Sequence, residues 1–159
     1  MADTERKTLR VFISSPADVR PERLIAERVI QRLEQEFAPN LDLRAVSWER
    51  EPLLASHHFQ DLITPPHDTD IVVVILWSLL GTQLPADRFS GPLSGDEVTG
   101  TEWEFEDALK SYRERNSPEI LMYRKTAERT VGLGDTSAAR ERLGQKERVD
   151  TFCRKYGRD

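Results

Sequence analysis

The sequence predicts an α/β fold with a parallel sheet of four to five strands and helices on both faces. Short apolar, β-branched segments alternate with segments of helical periodicity along the 159 residues. One of them, Ile71 to Trp77, is continuously apolar, as expected of a strand buried on both faces. Because crossovers between parallel strands are right-handed, the intervening helices cover both faces of such a sheet.

The first strand is predicted over residues 8–14 (TLRVFIS), with turn residues after it. A helix follows over residues 21–37, because apolar residues recur at helical spacing and Pro21 suits a first turn. Asp18 is expected to cap this helix, and Pro39 ends it. We expect its apolar residues to face the core: Leu24, Ile25, Val29, Ile30, Leu33 and Phe37.

Residues 41–48 alternate apolar and polar side chains and form the second predicted strand. Residues 54–63 are predicted as a short helix, closed by two prolines. The third strand covers residues 70–77. The segment 78–99 is rich in glycine and proline, and structureless connections of this length are uncommon in compact domains, so we expect a functional loop or lid.

The remaining elements are a helix over residues 101–115, a strand over 119–124 and a helix over 137–156 that Gly157 ends. Strands and helices in this order predict a flavodoxin-like or Rossmann-like sheet. Residues 1–159 are the size of one domain. A fifth strand would come after the last helix, so we expect the N-terminal module of a longer protein.

Composition excludes several classes of protein. The longest apolar stretch is far below the ~20 residues that cross a bilayer, and the N-terminus lacks the apolar core of a signal peptide. A cytoplasmic protein without a membrane partner is expected. The single cysteine, Cys153, excludes a disulfide scaffold and a thiolate zinc site.

The net charge of −5 is unevenly distributed along the chain. Residues 1–124 hold 14 Lys and Arg against 22 Asp and Glu, a charge of −8, whereas residues 125–159 hold 9 against 6, a charge of +3. The basic tail interleaves its charges, as in Arg140-Glu141-Arg142. Direct nucleic-acid binding is therefore not expected, since it needs clustered cations.

Ligands of open parallel sheets bind at the carboxyl ends of the strands. Trp48, Trp77 and Trp103 all fall at this edge. Trp103 lies nearly opposite the apolar face of its helix, so it either packs under the 78–99 loop or lines a pocket for a base or nicotinamide. For Trp48 and Trp77 we expect core packing.

Glu104 lies in the first turns of the 101–115 helix at the same edge, where we expect it to be partly exposed. A carboxylate there can bind ribose hydroxyls or stabilise an oxocarbenium ion. The alternative is that acidic residues at a helix start complement the helix dipole. They also disfavour phosphate at that helix start, which leaves the Ser14-Ser15 loop, Arg20 and Arg50 as phosphate candidates.

Other chemistries lack support. His57, His58 and Asp61 have one i, i+4 spacing but no third ligand, so no metal site is predicted. The chain contains neither a G-x-S-x-G elbow nor a P-loop, which argues against a serine hydrolase and against ATP hydrolysis. No cofactor is predicted.

Two motifs carry a resemblance to a known family. Residues 11–23 (VFISSPADVRPER) resemble the V-F-I-S-S-x-x-D-V-x-x-E-R opening of a TIR-like family of unknown function, found mainly N-terminal to NACHT or related STAND ATPase modules in bacteria. Residues 100–108 (GTEWEFEDA) resemble its G-T-E-x-E-F-E-x-A helix start. The G-T-x-x-E string is also similar to that of nucleoside deoxyribosyltransferases, whose glutamate attacks the sugar, and to the glutamate-bearing helix of NAD-cleaving TIR domains.

The resemblance implies an effector or signalling domain of prokaryotic antiviral immunity, with a fused or adjacent STAND or NACHT ATPase as partner. It would cleave the nicotinamide–ribose bond of NAD on self-association, with Glu104 as the catalytic residue. Isolated copies are expected to be monomeric and nearly inactive. The substrate-binding residues would be Phe12, Ser14, Ser15, Asp18, Trp77, Gly100, Thr101 and Trp103.

Two other functions stay open. The first is a non-catalytic module whose rim binds a nucleotide-derived signal or another copy of the domain. The second is a nucleoside or nucleotide ribosyl hydrolase or transferase that acts on free metabolites. In each case Ser15 is expected on an open rim, where an arginine would block the site at little structural cost.

Overall fold

The computed structural model describes residues 6–47, 64–130, 132 and 134–157. Within them, an all-parallel sheet is flanked by α-helices, which confirms the predicted α/β class. The strands are β1 (Lys7–Ser14), β2 (Leu41–Val46), β3 (Ile71–Leu76) and β4 (Glu119–Arg124). The α-helices are α1 (Arg20–Phe37), α2 (Gly100–Arg115) and α3 (Thr136–Tyr156). The helix expected over residues 54–63 lies outside the described residues.

The strand order is β2-β1-β3-β4, that of an open, doubly wound sheet of the flavodoxin/Rossmann-like kind. β1 pairs with β2 on one side and with β3 on the other. The chain therefore reverses its direction of travel across the sheet between β1 and β3. At such a reversal the connections leave the carboxyl ends in opposite directions and open a crevice.

Side chains alternate between the two faces of the sheet and form two cores. Phe12 and Val74 share one core with Phe105 of α2 and Phe152 of α3. The other core packs against α1 and is formed by buried residues of the sheet, the turn before α1 and α1 itself: Val11, Ile13, Val19, Ile30, Leu43 and Ile75. The two cores place helices on both faces, as predicted.

The expected core face of α1 is wrong for most of its residues. Only Ile30 of the predicted set is buried, and the other buried positions of the helix are Arg23 and Glu27. The helix is turned so that Arg23 reaches the backbone of the β1–α1 turn. All of the remaining apolar residues except Leu24 line an open groove of about 910 Å³ together with Leu121 and Tyr123 of β4. Including Leu24, their exposed fractions run from 36% to 58%: Leu24, Ile25, Val29, Leu33 and Phe37.

The helix starts differ in how they are capped. The predicted Asp18 cap is wrong, because Val19 is the N-cap of α1 and the Asp18 carboxylate accepts hydrogen bonds from Ser78 instead. Thr99 caps α2 in a capping box with Glu102, and the Asp135 carboxylate accepts hydrogen bonds at the start of α3. None of the helices in the described part of the chain is both long and apolar enough to cross a membrane.

Two isoleucines of α1 provide a matched test of how the helix is oriented. Ile30 is 8% exposed and Ile25 is 58% exposed. Ile30→Ala should lower the free energy of unfolding by about 2–5 kcal/mol, because it leaves a cavity in the core. Ile25→Ala should change it by less than about 0.5 kcal/mol. Urea denaturation measures both, and equal losses would contradict this orientation of α1.

Candidate active site

The site begins with a buried hydroxyl–carboxylate pair at the carboxyl end of β1. Ser14, the last residue of β1, is fully buried, and its Oγ donates a 2.5 Å hydrogen bond to Oε2 of Glu104. Glu104 is only 5% exposed, so the expectation of a partly exposed carboxylate is wrong. It lies one turn into α2, on the helix face that meets the end of β1. The structure therefore brings together two predicted site residues that are distant in sequence.

The start of α2 is fixed by the loop that precedes it. The Thr99 hydroxyl donates to the Leu80 carbonyl, and the Gly100 N–H donates to the Thr82 carbonyl at 2.9 Å. Gly81 has a positive φ of 91°, and a Cβ there would stand 3.0 Å from Thr101 Oγ1. Gly100 and Thr101, both predicted to bind substrate, are thus buried beneath residues 80–82.

Residues 78–99 are anchored to α2 as well as to the sheet. The Glu106 carboxylate accepts hydrogen bonds from the N–H groups of Leu93 and Ser94 at 2.9 and 3.0 Å. Trp103 packs edge-on against Phe89 of the same loop, with ring centroids 6.1 Å apart. This contact agrees with the first of the two expectations for Trp103, packing under the loop.

Asp18 connects the β1–α1 turn to the end of β3. Its Oδ2 accepts hydrogen bonds from the Ser78 N–H and the Ser78 hydroxyl, both at 2.9 Å. The side chain is 5% exposed, and its Oδ1 is buried without a hydrogen-bond partner among the described residues. The Arg129 guanidinium donates to the Ser78 hydroxyl and lies 3.6 Å from Asp18 Oδ2. Asp18 thereby ties together two strand ends on either side of the order reversal.

Ser15 and Phe12 lie below the surface of the site. Ser15 is 7% exposed, and both its carbonyl and its hydroxyl accept hydrogen bonds from the Arg23 guanidinium. The expectation of an open Ser15 is therefore wrong, since an arginine there would displace Arg23 from the interior. Phe12 is 1% exposed and belongs to the core between the sheet and α2.

Trp77 is half-buried after β3 and is covered by two cations. Its Nε1 donates to the Ala127 carbonyl at 2.8 Å, which fixes the ring. Lys125 Nζ lies 4.3 Å and Arg129 Cζ lies 5.2 Å from the ring centroid, both within cation–π range. The ring also packs against the α1-side core, as expected. Trp48 and Arg50 lie outside the described residues.

Two cations follow β4 at this edge, Lys125 and Arg129, and the sequence patterns did not predict a site role for Arg129. Lys125 donates to Glu22 at 2.6 Å, and this hydrogen bond holds the pKa of the Glu22 carboxyl below its usual value. The charge distribution along the sequence could have indicated these cations, because the segment of net charge +3 begins at Lys125. Arg129 comes four residues later and reaches Ser78 at the end of β3.

The arrangement suits a ligand with hydroxyls at one end and negative charge at the other. Two buried carboxylates, on Glu104 and Asp18, accept hydrogen bonds, while Lys125 and Arg129 supply positive charge along the same edge. The described residues contain no cluster of three or more metal-ligating side chains. His57, His58 and Asp61 fall outside that part of the chain.

Comparisons with known proteins identified no relative of this chain. A scan against protein-family models, a search of curated proteins and a search of solved structures each gave no significant match. The fold and the geometry of the site therefore define the class: an open, doubly wound α/β sheet with a buried carboxylate at its order reversal.

The Ser14–Glu104 hydrogen bond can be tested through stability. Ser14→Ala removes a donor from a buried carboxylate and should lower the free energy of unfolding by about 1–3 kcal/mol. Ser137→Ala is the control, because its hydroxyl bonds to an exposed carboxylate of Asp135 and its loss should cost less than about 0.5 kcal/mol. Chemical denaturation at pH 7 compares the two. Equal, small losses would show that the buried bond contributes little.

Proposed function

We propose that this chain is a TIR-like effector domain that cleaves the nicotinamide–ribose bond of NAD when copies are brought together. The observation that carries the proposal is the Glu104 carboxylate, held by Ser14 at the carboxyl end of β1. The resemblance of residues 11–23 and 100–108 to the TIR-like family supports the same assignment. In the reaction, water adds to the ribose C1′, nicotinamide leaves, and ADP-ribose and a proton are formed.

Cleavage of the nicotinamide–ribose bond requires little from the protein beyond one well-placed carboxylate. Nicotinamide leaves as a neutral ring, because the cleaved bond returns its electrons to the positively charged ring nitrogen, so departure needs no general acid. The Glu104 carboxylate would accept hydrogen bonds from ribose hydroxyls and stabilise the oxocarbenium-like ribose. Ser14 would fix the orientation of that carboxylate.

A second candidate function is a non-catalytic module that binds a nucleotide-derived signal. It is favoured by the burial of Glu104, which is 5% exposed and already bonded to Ser14. A buried carboxylate with this hydrogen bond stabilises the fold without any catalytic role. Catalysis requires the ribose to reach Glu104. In the proposed function, assembly of neighbouring copies gives the ribose this access.

The decisive experiment measures nicotinamide release from NAD by the chain fused to an oligomerising domain. The clustered wild type should release nicotinamide, whereas the dilute unfused chain should be nearly inert. Glu104→Gln keeps an acceptor for Ser14 and should slow release by at least on the order of 10²-fold, since the negative charge is lost. Glu106→Gln is the matched control, because Glu106 is equally buried on α2 but bonds to the loop.

Each contrary result has a separate meaning. No release by the clustered wild type would favour the binding module, and equal rates for wild type and Glu104→Gln would remove Glu104 from catalysis. Release of bases from nucleosides, with NAD left intact, would indicate a ribosyl hydrolase instead. Thermal unfolding of both glutamine variants shows whether any loss of activity comes from a loss of fold.

A further inference from the structure

A cavity of about 540 Å³ lies where β3 and β4 end and α3 passes over them. Its volume is within the range of sites for small molecules. Of its lining residues, Trp77 alone is among those predicted from the sequence to bind substrate. The lining combines an aromatic ring, two hydroxyls and several cations: Trp77, Ser78, Arg124, Lys125, Thr126, Ala127, Glu128, Arg129, Arg142, Leu143 and Lys146.

The lining is strongly basic on a chain whose net charge is −5. Five of its residues carry a positive charge, and the single acidic residue is Glu128. Four of the five cations have a carboxylate partner, and for Arg129 that partner is Asp18 at 3.6 Å. Asp150 accepts from both Arg124 and Lys146, so one carboxylate serves two cations, and Glu22 pairs with Lys125.

Two cations of α3 are well placed for an anion. Arg142 and Lys146 are one helical turn apart and both line the cavity. Among the described residues the Arg142 side chain forms no hydrogen bond or ion pair, and it acts on the Asp135 carboxylate through space. Clustered like charges repel one another, and an anion with more than one negative charge relieves that repulsion.

Hydrogen bonds join this cavity to the site at the order reversal. Arg129 lines the cavity and donates to Ser78, which in turn donates to Asp18 in the turn after β1. Ser14, which holds Glu104, lies four residues before Asp18. The cations and the Glu104 carboxylate therefore belong to one continuous edge of the sheet.

The sequence also suggests three other positions for a phosphate: the Ser14-Ser15 loop, Arg20 and Arg50. The Ser14-Ser15 loop is excluded, because both residues are buried and Ser15 is already bonded to Arg23 through its carbonyl and hydroxyl. Ser14 donates its hydroxyl proton to Glu104. Arg20 is exposed at the start of α1, and Arg50 lies outside the described residues. Among the described residues of this edge, the cavity after β4 holds a cluster of cations.

We propose that this cavity binds the pyrophosphate of a dinucleotide, with Arg129, Arg142 and Lys146 as its cationic ligands. The inference rests on the proposed function, because it makes the pyrophosphate and ribose of one substrate occupy opposite ends of the same edge. The Thr126 hydroxyl would donate to a phosphate oxygen, whereas the Ser78 hydroxyl keeps its proton on Asp18 and holds Arg129 in place. Such charge-assisted hydrogen bonds are stronger than those between neutral groups.

The test is titration calorimetry on the full chain with inorganic pyrophosphate, ADP and adenosine as separate probes. Pyrophosphate and ADP should bind, adenosine should not, and added salt should weaken binding. Arg142→Ala/Lys146→Ala should weaken binding at least tenfold. Lys110→Ala/Arg140→Ala removes the same charge from two exposed positions outside the cavity and should leave binding unchanged. Thermal unfolding checks that each double variant is folded.

Absence of pyrophosphate binding would overturn the inference, as would equal weakening in both double variants. Adenosine binding as tight as that of ADP would also overturn it, since the base rather than the phosphates would then be recognised. The result for the phosphate site can be distinguished from the result for NAD cleavage. Pyrophosphate binding without nicotinamide release would support the phosphate site and contradict the proposed NAD cleavage. NAD cleavage with an unchanged KM in Arg142→Ala/Lys146→Ala would contradict the phosphate site alone.

Discussion

The pairing of β1 with strands on both of its sides is the constraint on which the rest of the structure depends. Because β1 is central, the turn that follows it lies where the strand order reverses, with β3 beside it. Ser14 and Asp18 are held there, and α2 and the end of β3 close over them through Glu104 and Ser78. The same pairing divides the apolar residues of the sheet between two cores, one under α1 and one under α2 and α3.

Buried carboxylates organise the carboxyl edge of this sheet. An ionised carboxyl group in an interior is costly unless hydrogen bonds satisfy it, so each one fixes the donors around it. Glu106 orders the 93–94 turn of the loop, Asp18 holds Ser78, and Glu104 accepts from Ser14. The edge is therefore a set of preformed acceptors, and the cations after β4 lie next to it.

The sequence predicts the elements of this fold better than their environments. The continuous apolar run identifies β3, and the segment after Pro118 gives β4 with the bounds that the structure has. Periodicity locates α1 but not its buried face, because the contact of Arg23 with Ser15 depends on the turn around it. The role of Asp18 is missed for the same reason: a local cap is visible in sequence, whereas its partner Ser78 is 60 residues away. The burial of Glu104 is missed likewise, because its partner Ser14 is 90 residues away in the sequence.

In the proposed complex, the ribose reaches Glu104 while the pyrophosphate lies against α3. A crystal structure of the clustered protein with ADP-ribose tests this placement most directly. We expect ribose hydroxyls within about 3 Å of the Glu104 carboxylate and phosphate oxygens at Arg142 and Lys146. A ligand seated elsewhere on the protein, or one whose ribose stays remote from Glu104, would contradict the claim.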